Sequence, residues 1–324
     1  MTGAAAWRSG FRTGACRVRV PATSANLGPG FDSFALALTL YDDVVVQVSD
    51  AAGLRVDVNG EGAESVPRDE KHLVVKAMMA GFDALGARPR GLDLVCTNRI
   101  PHGRGLGSSA AAIISGLVLA RALIEGGEDR LPDEELLDLA TLLEGHPDNV
   151  AACFRGGFTI SWTLEISGVT QADAVRLAVV PTLLPVVCVP THEVATHLAR
   201  GLLPAQVPHA DAATNVARSA LLVAVLSGAI QSSGRASTAE LLMTATADLL
   251  HQPYRSGAYP HSAELVSRLR AAGVPAVISG AGPSVLALAS VQTADLIAGL
   301  AGDHFATSVL EVAMDGARIL PVES

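Results

Sequence analysis

Apolar and polar residues recur in short blocks along the first half of the chain, and each block predicts one secondary-structure element. In residues 54–58 apolar and polar positions alternate, and Asn59-Gly60 then predicts a turn at the end of this strand. Between Lys71 and Leu85 the apolar positions recur at helical spacing, and Gly86 marks the end of the helix. The other elements predicted here are strands at 17–20, 44–48, 92–97 and 158–162 and helices at 108–124 and 132–143.

The second half of the chain also mixes strands and helices. Residues 165–174 are polar and have no clear period, so we place a domain boundary in this segment. The chain then divides into an N-terminal domain of residues 1–170 and a C-terminal domain of residues 171–324. In the second domain we predict strand-like runs at 175–189, 274–279 and 285–289, helices at 212–230, 238–251 and 262–272, and a closing helix and strand. Such mixing in both halves indicates an α/β or α+β protein.

The composition is that of a folded protein without a nucleic-acid or membrane partner. Hydrophobic residues make up 49% and charged residues 17% of the chain, which supplies a large core and excludes long disordered tracts. The net charge of −9, without a basic tract, argues against nucleic-acid binding. The longest apolar stretches, 177–190 and 220–230, are shorter than the roughly 20 residues of a membrane-spanning helix.

The cysteines and the N-terminal residues bear on the compartment. The chain has four cysteines, which stand tens of residues apart at Cys16, Cys96, Cys153 and Cys188. They form no Cys-x-x-Cys pair, so we expect free buried thiols rather than a zinc site or a redox pair. Residues 1–19 contain four arginines and no apolar segment, so a secretory signal is not expected. These features predict a cytoplasmic protein.

A glycine-rich segment, Pro101-His-Gly-Arg-Gly-Leu-Gly-Ser-Ser-Ala-Ala111, joins a predicted strand to a predicted helix. Its three glycines allow close approach of backbone N–H groups, and the helix start adds unsatisfied N–H groups and a positive dipole end. This arrangement predicts a polyphosphate site, with Arg104 offsetting part of the charge. The segment has neither a Walker A lysine nor the G-x-G-x-x-G spacing. Taken alone, it also fits a glycine-rich turn with a serine cap.

Three further polar segments carry candidate ligands. Residues 21–32 follow the first predicted strand, and Asn26 and Asp32 there suit an ammonium or hydroxyl group. Residues 144–149 offer two carboxylates, an imidazole and an amide, a set that can bind a hard cation such as Mg²⁺. Residues 279–284, between two predicted strands, can form a second backbone wall beside phosphates. Each segment alone is also compatible with an ordinary turn or a helix end.

Taken in this order, the four segments resemble the motif set of the GHMP kinases, over residues 17–290. The runs Ser-Ala-Asn-Leu-Gly-Pro-Gly-Phe-Asp and Glu-Gly-His-Pro-Asp-Asn are similar to the homoserine kinase branch, whereas the Arg-x-Pro-Gly-Glu-His-type motif of galactokinases is absent. The resemblance implies an α+β, two-domain GHMP kinase fold. Its N-terminal domain would be ribosomal-S5-like, with a left-handed βαβ crossover, its C-terminal domain ferredoxin-like, and its active site between them.

The resemblance also implies ligands and residue roles. The ligands would be ATP, Mg²⁺ and L-homoserine, with Ser109 and Glu144 holding the metal. Glu144, Thr196 and Arg200 would be catalytic. The substrate site would be formed by Asn26, Asp32, His146, Asn149, Arg200 and Arg255, with Asp32 placed for the α-ammonium. The residues implied in ATP binding are Pro101, His102, Gly103, Arg104, Gly105, Leu106, Gly107, Ser108, Ser109, Ala110, Ala111, His72, Gly280 and Gly282.

Some assignments depend on the register chosen. Thr196 and Arg200 follow from a Thr-x-x-x-Arg-x-x-Leu-Pro match; the alternative start at Thr191 would place Ala195 at the arginine position. Arg200 and Arg255 are also compatible with exposed surface charges. At the adenine contact the chain departs from the family, because His72 stands where an asparagine is common.

The motifs leave the mechanism and two other functions open. Since no strong general base is evident, we expect direct in-line attack by the substrate hydroxyl, whose proton passes to a phosphate oxygen. One alternative is another GHMP small-alcohol kinase, of threonine, shikimate or mevalonate type, although the polar substrate set favours an amino acid. The other is a nucleotide-sensing regulator without turnover, which would be expected to lose Glu144 or the loop serines. A homodimer is a family-level expectation.

Overall fold

The computed structural model describes residues 10–191, 201–290 and 293–322. Its strands are β1 (Ala15–Ala25), β2 (Phe34–Ser49), β3 (Gly53–Gly60), β4 (Gly91–Asn98), β5 (Phe158–Ile166), β6 (Val169–Leu177), β7 (Leu184–Pro190), β8 (Ala276–Ile278), β9 (Val285–Ala289), β10 (Phe305–Val309) and β11 (Arg318–Leu320). Its helices are α1 (Leu73–Ala84), α2 (Ser108–Ala122), α3 (Gly127–Arg130), α4 (Asp133–Glu144), α5 (Asp148–Arg155), α6 (His209–Leu226), α7 (Thr238–Ala245), α8 (Gln252–Arg255), α9 (Pro260–Ala271) and α10 (Ala294–Ala301).

The first sheet has seven strands built around the long strand β2. Its main order is β11-β1-β2-β4-β3, and β5 pairs with the first residues of β2 and carries β6 outside it. All pairs are antiparallel except β3 and β4, which run parallel with α1 between them in the chain. A register shift at Pro21/Ala22 lets the end of β1 continue beside the start of β2. That end of β1 leads directly into residues 26–32.

Helix α2 is the central helix of the first domain. Ten of its residues are buried, on all sides of the helix, as expected for a core helix rather than a surface one. It approaches α1 very closely, because a Cβ on Gly116 would lie 2.4 Å from the Val74 carbonyl oxygen. The small apolar residues of 108–124 predicted this close packing, and the structure confirms it.

The second sheet has four antiparallel strands in the order β10-β7-β9-β8. When these four strands are numbered along the chain, their spatial order in the sheet is 4-1-3-2. In the sequence, helices separate the first strand from the second and the third from the fourth, which confirms the ferredoxin-like topology. Side chains of β9 alternate between two cores: Leu286 and Leu288 join the core shared with the first domain, whereas Val285 and Ala287 pack with α9 and α10. Leu222 and Leu242, from α6 and α7, belong to the shared core. The two domains therefore share one continuous core.

The predicted boundary at residue 170 differs from the arrangement of the sheets. Residues 165–174 form the turn and much of strand β6 in the β5–β6 hairpin, and Ala172 and Ala174 of β6 are buried. The Ala172 N–H donates to the Asp138 carboxylate of α4 at 2.6 Å. The segment lacks a clear pattern because much of the hairpin is exposed. We therefore place the division at 178–183, with β11 returning to the first sheet.

Smaller differences have local causes. Residues 59–60 continue β3, and the turn follows them. The helix predicted over 238–251 ends at Ala245, because the Asp248 carboxylate accepts the N–H groups of residues 250–252 and caps a new turn instead. Helix α5, which begins at Asp148 immediately after Pro147, was not predicted.

The cysteines are free thiols, as expected, and three of the four are buried, whereas Cys16 is partly exposed. Burial raises the pKa of Cys96 to about 12 and that of Cys188 to about 11, so both are protonated at neutral pH. Among the described residues, no helix combines the length and hydropathy needed to cross a membrane.

The shared core predicts a cooperative effect of one substitution. Leu286→Ala removes a fully buried side chain between the two domains and should lower the free energy of unfolding by about 2–5 kcal/mol, in a single transition. Val309→Ala, at a strand position that is 52% exposed, should change it by less than about 0.5 kcal/mol. Urea denaturation followed by circular dichroism measures both. Two separate transitions in Leu286→Ala would contradict a continuous core.

Candidate active site

The glycine-rich loop lies between β4 and α2, and its backbone is left-handed at three glycines. The φ values are 65° at Gly103, 74° at Gly105 and 72° at Gly107, the residue before α2. A Cβ on Gly105 would lie 2.3 Å from the Ser279 carbonyl oxygen, and one on Gly107 would lie 1.9 Å from Thr23 Oγ1. Glycine is therefore required at both positions by conformation and by space.

Backbone hydrogen bonds from both domains hold this loop. The Thr23 N–H donates to the Leu106 carbonyl at 3.0 Å, and the Ser284 N–H donates to the Arg104 carbonyl at 3.1 Å. Ser279 Oγ donates to the Gly105 carbonyl at 2.6 Å. The loop is thus fixed between the end of β1 and the turn at 279–284, with the start of α2 at the cleft. This geometry presents the first N–H groups of α2 to an anion.

Arg104 has a different place from the one expected. Its guanidinium was predicted to offset phosphate charge, but it donates to the Pro190 carbonyl at 2.8 Å and to the Thr191 carbonyl at 3.2 Å. These bonds fasten the loop to the end of β7. The Arg104 side chain therefore supports the loop, and its charge-balancing role stays a prediction.

A cleft with about 560 Å³ of empty space lies beside the loop and takes residues from both domains. Ser109 and Glu144, predicted as a pair of metal ligands, meet there, with Ser109 Oγ donating to Glu144 Oε2 at 2.7 Å. Adjacent oxygen ligands of an octahedral Mg²⁺ lie about 2.9 Å apart, given metal–oxygen distances of about 2.0–2.1 Å. The two oxygens therefore fit adjacent positions around one Mg²⁺.

The predicted substrate residues that the structure describes line the same cleft, namely Asn26, Asp32, His146, Asn149 and Arg255, and Gly280 lies there too. Gly282 stands in the same turn, where its carbonyl faces Gly105. Thr196 and Arg200 lie outside the described residues. The sequence motifs are thus gathered from positions more than 200 residues apart.

Asn26 organises its loop with both ends of its amide. Its Nδ2 donates to the Gly280 carbonyl at 2.8 Å, and its Oδ1 accepts from the Asp32 N–H at 2.9 Å. Asn26 and Asp32 both have positive φ, of 69° and 52°. The Asn26 amide therefore sets the position of Asp32 relative to the second domain, in addition to any role in binding a ligand.

Asp148, one of the two carboxylates of residues 144–149, is a buried site residue to which the sequence motifs assigned no individual role. Its Oδ1 lies 2.5 Å from His146 Nδ1 and accepts the Asn149 N–H at 2.7 Å. Thr23 Oγ1 in turn donates to Asn149 Oδ1 at 2.7 Å. The dipeptide Pro147-Asp148 is a helix-start signal that would have indicated α5 and, with it, a carboxylate in the first turn facing the cleft.

The cleft has an acidic side and one buried guanidinium. Oxygens of Asp32 and Asp148 and a ring nitrogen of His146 lie within 4.8 Å of one another. Arg255 is 1% exposed, and its guanidinium carbon lies 5.2 Å from the centre of the Phe31 ring, a residue that sequence analysis did not select. Such a cleft suits a small molecule that carries both an ammonium and a carboxylate group.

A second cleft, with about 810 Å³ of empty space, shares Ser108 and Ser109 with the first. His72 lines it and is buried; burial, and next the nearby His102, lower the pKa of His72 and keep its ring neutral. Asp42 also lines it and accepts the N–H groups of Arg99 and Ile100 at 2.6 and 2.9 Å. Asp42 was missed because it lies within a strand, with no motif around it.

The loop geometry predicts different outcomes for two glycine substitutions. Gly103→Ala places a Cβ in open space. Its only cost is the strain of a left-handed backbone at alanine, roughly 1–2 kcal/mol. Gly107→Ala adds the clash with Thr23, so it should weaken binding of a non-hydrolysable ATP analogue by more than about tenfold relative to Gly103→Ala. Isothermal titration calorimetry measures this, with the melting temperature as a control for folding. Equal affinities in the two variants would count against a rigid loop.

Comparison with known proteins shows the family to which the chain belongs. The family models "GHMP kinases N terminal domain" and "GHMP kinases C terminal" match residues 72–157 and 208–300. Homoserine kinase of Streptomyces coelicolor is 58% identical over 96% of both chains, and that of Mycobacterium tuberculosis is 46% identical over 84% of this chain and 83% of its own. A crystal structure of homoserine kinase from Cytophaga hutchinsonii superposes with a TM-score of 0.78 at 28% identity, covering 94% of this chain and 97% of its own. The chain belongs to the homoserine kinases of the GHMP kinase family.

Proposed function

We propose that this protein transfers the γ-phosphoryl group of ATP to the side-chain hydroxyl of L-homoserine and forms O-phospho-L-homoserine for threonine biosynthesis. One observation carries the proposal: a single cleft joins the glycine-rich loop, the adjacent oxygens of Ser109 and Glu144, and two oppositely charged side chains, Asp32 and Arg255. A kinase that acts on an amino acid needs all three. Of the alternatives weighed from sequence, mevalonate and shikimate carry no ammonium group for Asp32, and a regulator needs no substrate site. Threonine would use the same set and is distinguished from homoserine by the substrate panel below.

ATP would occupy both clefts. The triphosphate would lie along residues 103–109, where the glycines and the start of α2 offer N–H groups. The base would lie in the second cleft beside His72, since the two clefts meet at Ser108 and Ser109. We propose His72 as the adenine contact in place of the family's asparagine.

Homoserine would bind in the first cleft as a zwitterion. Asp32 would hold the ammonium group, and Arg255, together with Arg200, would hold the carboxylate, for which a planar guanidinium is suited. His146 and Asn149 would border the reacting hydroxyl. Thr196 and Arg200 keep their predicted catalytic roles here, as proposals from the sequence motif alone.

Phosphoryl transfer of this kind depends on position and charge more than on covalent chemistry. Ser109 and Glu144 would hold Mg²⁺, which supplies positive charge to the β- and γ-phosphates. The loop N–H groups would hold the phosphates in place while Asn149, fixed by Thr23, orients the hydroxyl. We propose direct in-line attack, with the hydroxyl proton passing to a phosphate oxygen and without a strong general base.

The remaining expectations concern partners and compartment. We propose a cytoplasmic enzyme with small-molecule partners and no nucleic acid. The homodimer stays a prediction. Leu164, Ile166 and Val169 at the tip of the β5–β6 hairpin are about half exposed, and they mark one apolar surface that a second copy can cover.

Substrate identity is tested by an ADP-release assay with MgATP and a panel of alcohols. The panel is L-homoserine, L-threonine, L-serine, mevalonate, shikimate and galactose. We expect kcat/KM for homoserine to exceed that for every other member by more than about a hundredfold, since only homoserine matches both charges and the reach of the hydroxyl. Mass spectrometry of the product identifies O-phosphohomoserine. Preferred turnover of another member would overturn the substrate assignment, and ATP binding without any turnover would favour the regulator.

The metal pair predicts a specific dependence on Mg²⁺. Glu144→Gln removes the charged ligand, so the Mg²⁺ concentration for half-maximal activity should rise at least about tenfold, because a neutral amide is a weaker ligand than a carboxylate. Glu135→Gln, at an exposed position of the same helix, is the matched control and should leave that concentration unchanged. An unchanged Mg²⁺ dependence in Glu144→Gln would remove Glu144 from the metal site.

A further inference from the structure

Residues 26–32, here called the substrate loop, hold a backbone conformation that is unfavourable in isolation. Besides Asn26 and Asp32, Leu27 also has a positive φ, of 48°, although it is a fully buried apolar residue. A left-handed backbone costs roughly 1–2 kcal/mol at an apolar residue such as Leu27, and less at asparagine and aspartate. Such a conformation persists only where surrounding groups impose it. The contacts of the loop therefore identify what sets the position of Asp32.

Two buried side chains of the second domain bind the tip of this loop. His251 Nε2 donates to the Gly28 carbonyl at 2.8 Å, and Asn215 Nδ2 donates to the Pro29 carbonyl at 2.8 Å. Asn215 Oδ1 also accepts the Leu249 N–H at 3.1 Å, so one amide joins the substrate loop to residues 246–255. His251 is fully buried and Asn215 is 2% exposed.

The segment 246–255 is itself held firmly and carries Arg255. The Asp248 carboxylate accepts three successive N–H groups, those of residues 250–252. The Phe31 ring of the substrate loop stacks on His251 with ring centres 5.1 Å apart, and the Arg255 guanidinium lies over the same ring. A Cβ on Gly28 would lie 2.4 Å from the Thr246 carbonyl oxygen. The loop and the segment thus pack without space between them.

We propose that Asn215 and His251 are positioning residues that set the amino-acid specificity of the site by fixing Asp32 at a constant separation from Arg255. The inference rests on the proposed function. An α-amino acid carries its ammonium and carboxylate groups on one carbon atom, so both are recognised together only at one spacing of the two protein charges. Neither Asn215 nor His251 is among the residues that line the cleft, and each acts through the loop.

The protonation of His251 agrees with this role. Burial lowers the pKa of His251, although the Asp248 carboxylate and the Gly28 carbonyl act in the opposite direction. The ring is therefore neutral at pH 7 and has one N–H group. Since a carbonyl oxygen only accepts, that N–H is at Nε2 and faces Gly28.

The test compares steady-state kinetics of Asn215→Leu and His251→Phe with the unaltered protein. Both variants should raise KM for homoserine by about tenfold or more, because a buried hydrogen bond to the loop is lost. KM for ATP should stay within about twofold, because the phosphate loop is held by other contacts. The ratio of kcat/KM for homoserine over 4-hydroxybutyrate, which lacks the ammonium group, should fall by about tenfold as well.

Three further variants separate positioning from stability. His251→Gln keeps an N–H donor near the same place and should recover most of the homoserine KM. Leu265→Ala removes a buried side chain from the core that α9 and α10 form with β9. It should lower the melting temperature without changing the KM for homoserine or for ATP. If Asn215→Leu fails to fold, Ser219→Ala removes a hydroxyl that lies 2.9 Å from both the Pro29 and the Asn215 carbonyl oxygens, and it should raise the homoserine KM by about twofold.

The outcomes distinguish this inference from the proposed function. Failure of the unaltered protein to phosphorylate homoserine would end the proposed function, and the inference with it. Normal turnover by that protein, with the specificity ratio unchanged in both variants, would overturn the inference alone. So would equal increases of both KM values, or a His251→Gln variant no better than His251→Phe.

Discussion

The candidate active site depends on one close contact between three backbone segments. These are the end of β1, the glycine-rich loop and the turn at 279–284. Ser279 Oγ bonds both Ser24 Oγ and the Gly105 carbonyl, and the Gly280 N–H donates to the Ala25 carbonyl. Gly105 has no room for a Cβ at this contact. The conformation of the glycine-rich loop therefore depends on where the second domain lies, and neither can change without the other.

The sequence predicted the local parts of this arrangement well. Glycine is required by the left-handed backbone at Gly103, Gly105 and Gly107, and also by close contacts at Gly105 and Gly107. A glycine is visible in the sequence, so these positions could be predicted. Strand β4 and helix α2 were both predicted from their apolar residues, and they place the loop between them. The meeting of the loop with Glu144 and with 279–284, by contrast, was expected only because the four segments together resemble one family.

The residues that the sequence did not reveal act through distant partners. Asn215 lies within a helix and His251 precedes a short one, so each looks like an unremarkable polar residue near an apolar stretch. Their partners in the substrate loop are 186 and 223 positions away, and no local spacing encodes such a bond. Strand β6 was missed for a different reason, since most of its residues are exposed and only Ala172 and Ala174 are buried.

Charge in the first cleft links the two ligands to each other. Among the described residues that line it, three are carboxylates, Asp32, Glu144 and Asp148, and Arg255 carries the one guanidinium. A helix start contributes only about half a unit of positive charge, which cannot offset a triphosphate beside these acids. Under the proposed function, a metal ion at Ser109 and Glu144 would offset the charge at the phosphate end, and an ammonium group beside Asp32 would offset it at the other. A substrate without an ammonium group would add no positive charge beside Asp32, so we expect the acidic side of the cleft to disfavour other alcohols as well as to attract an amino acid.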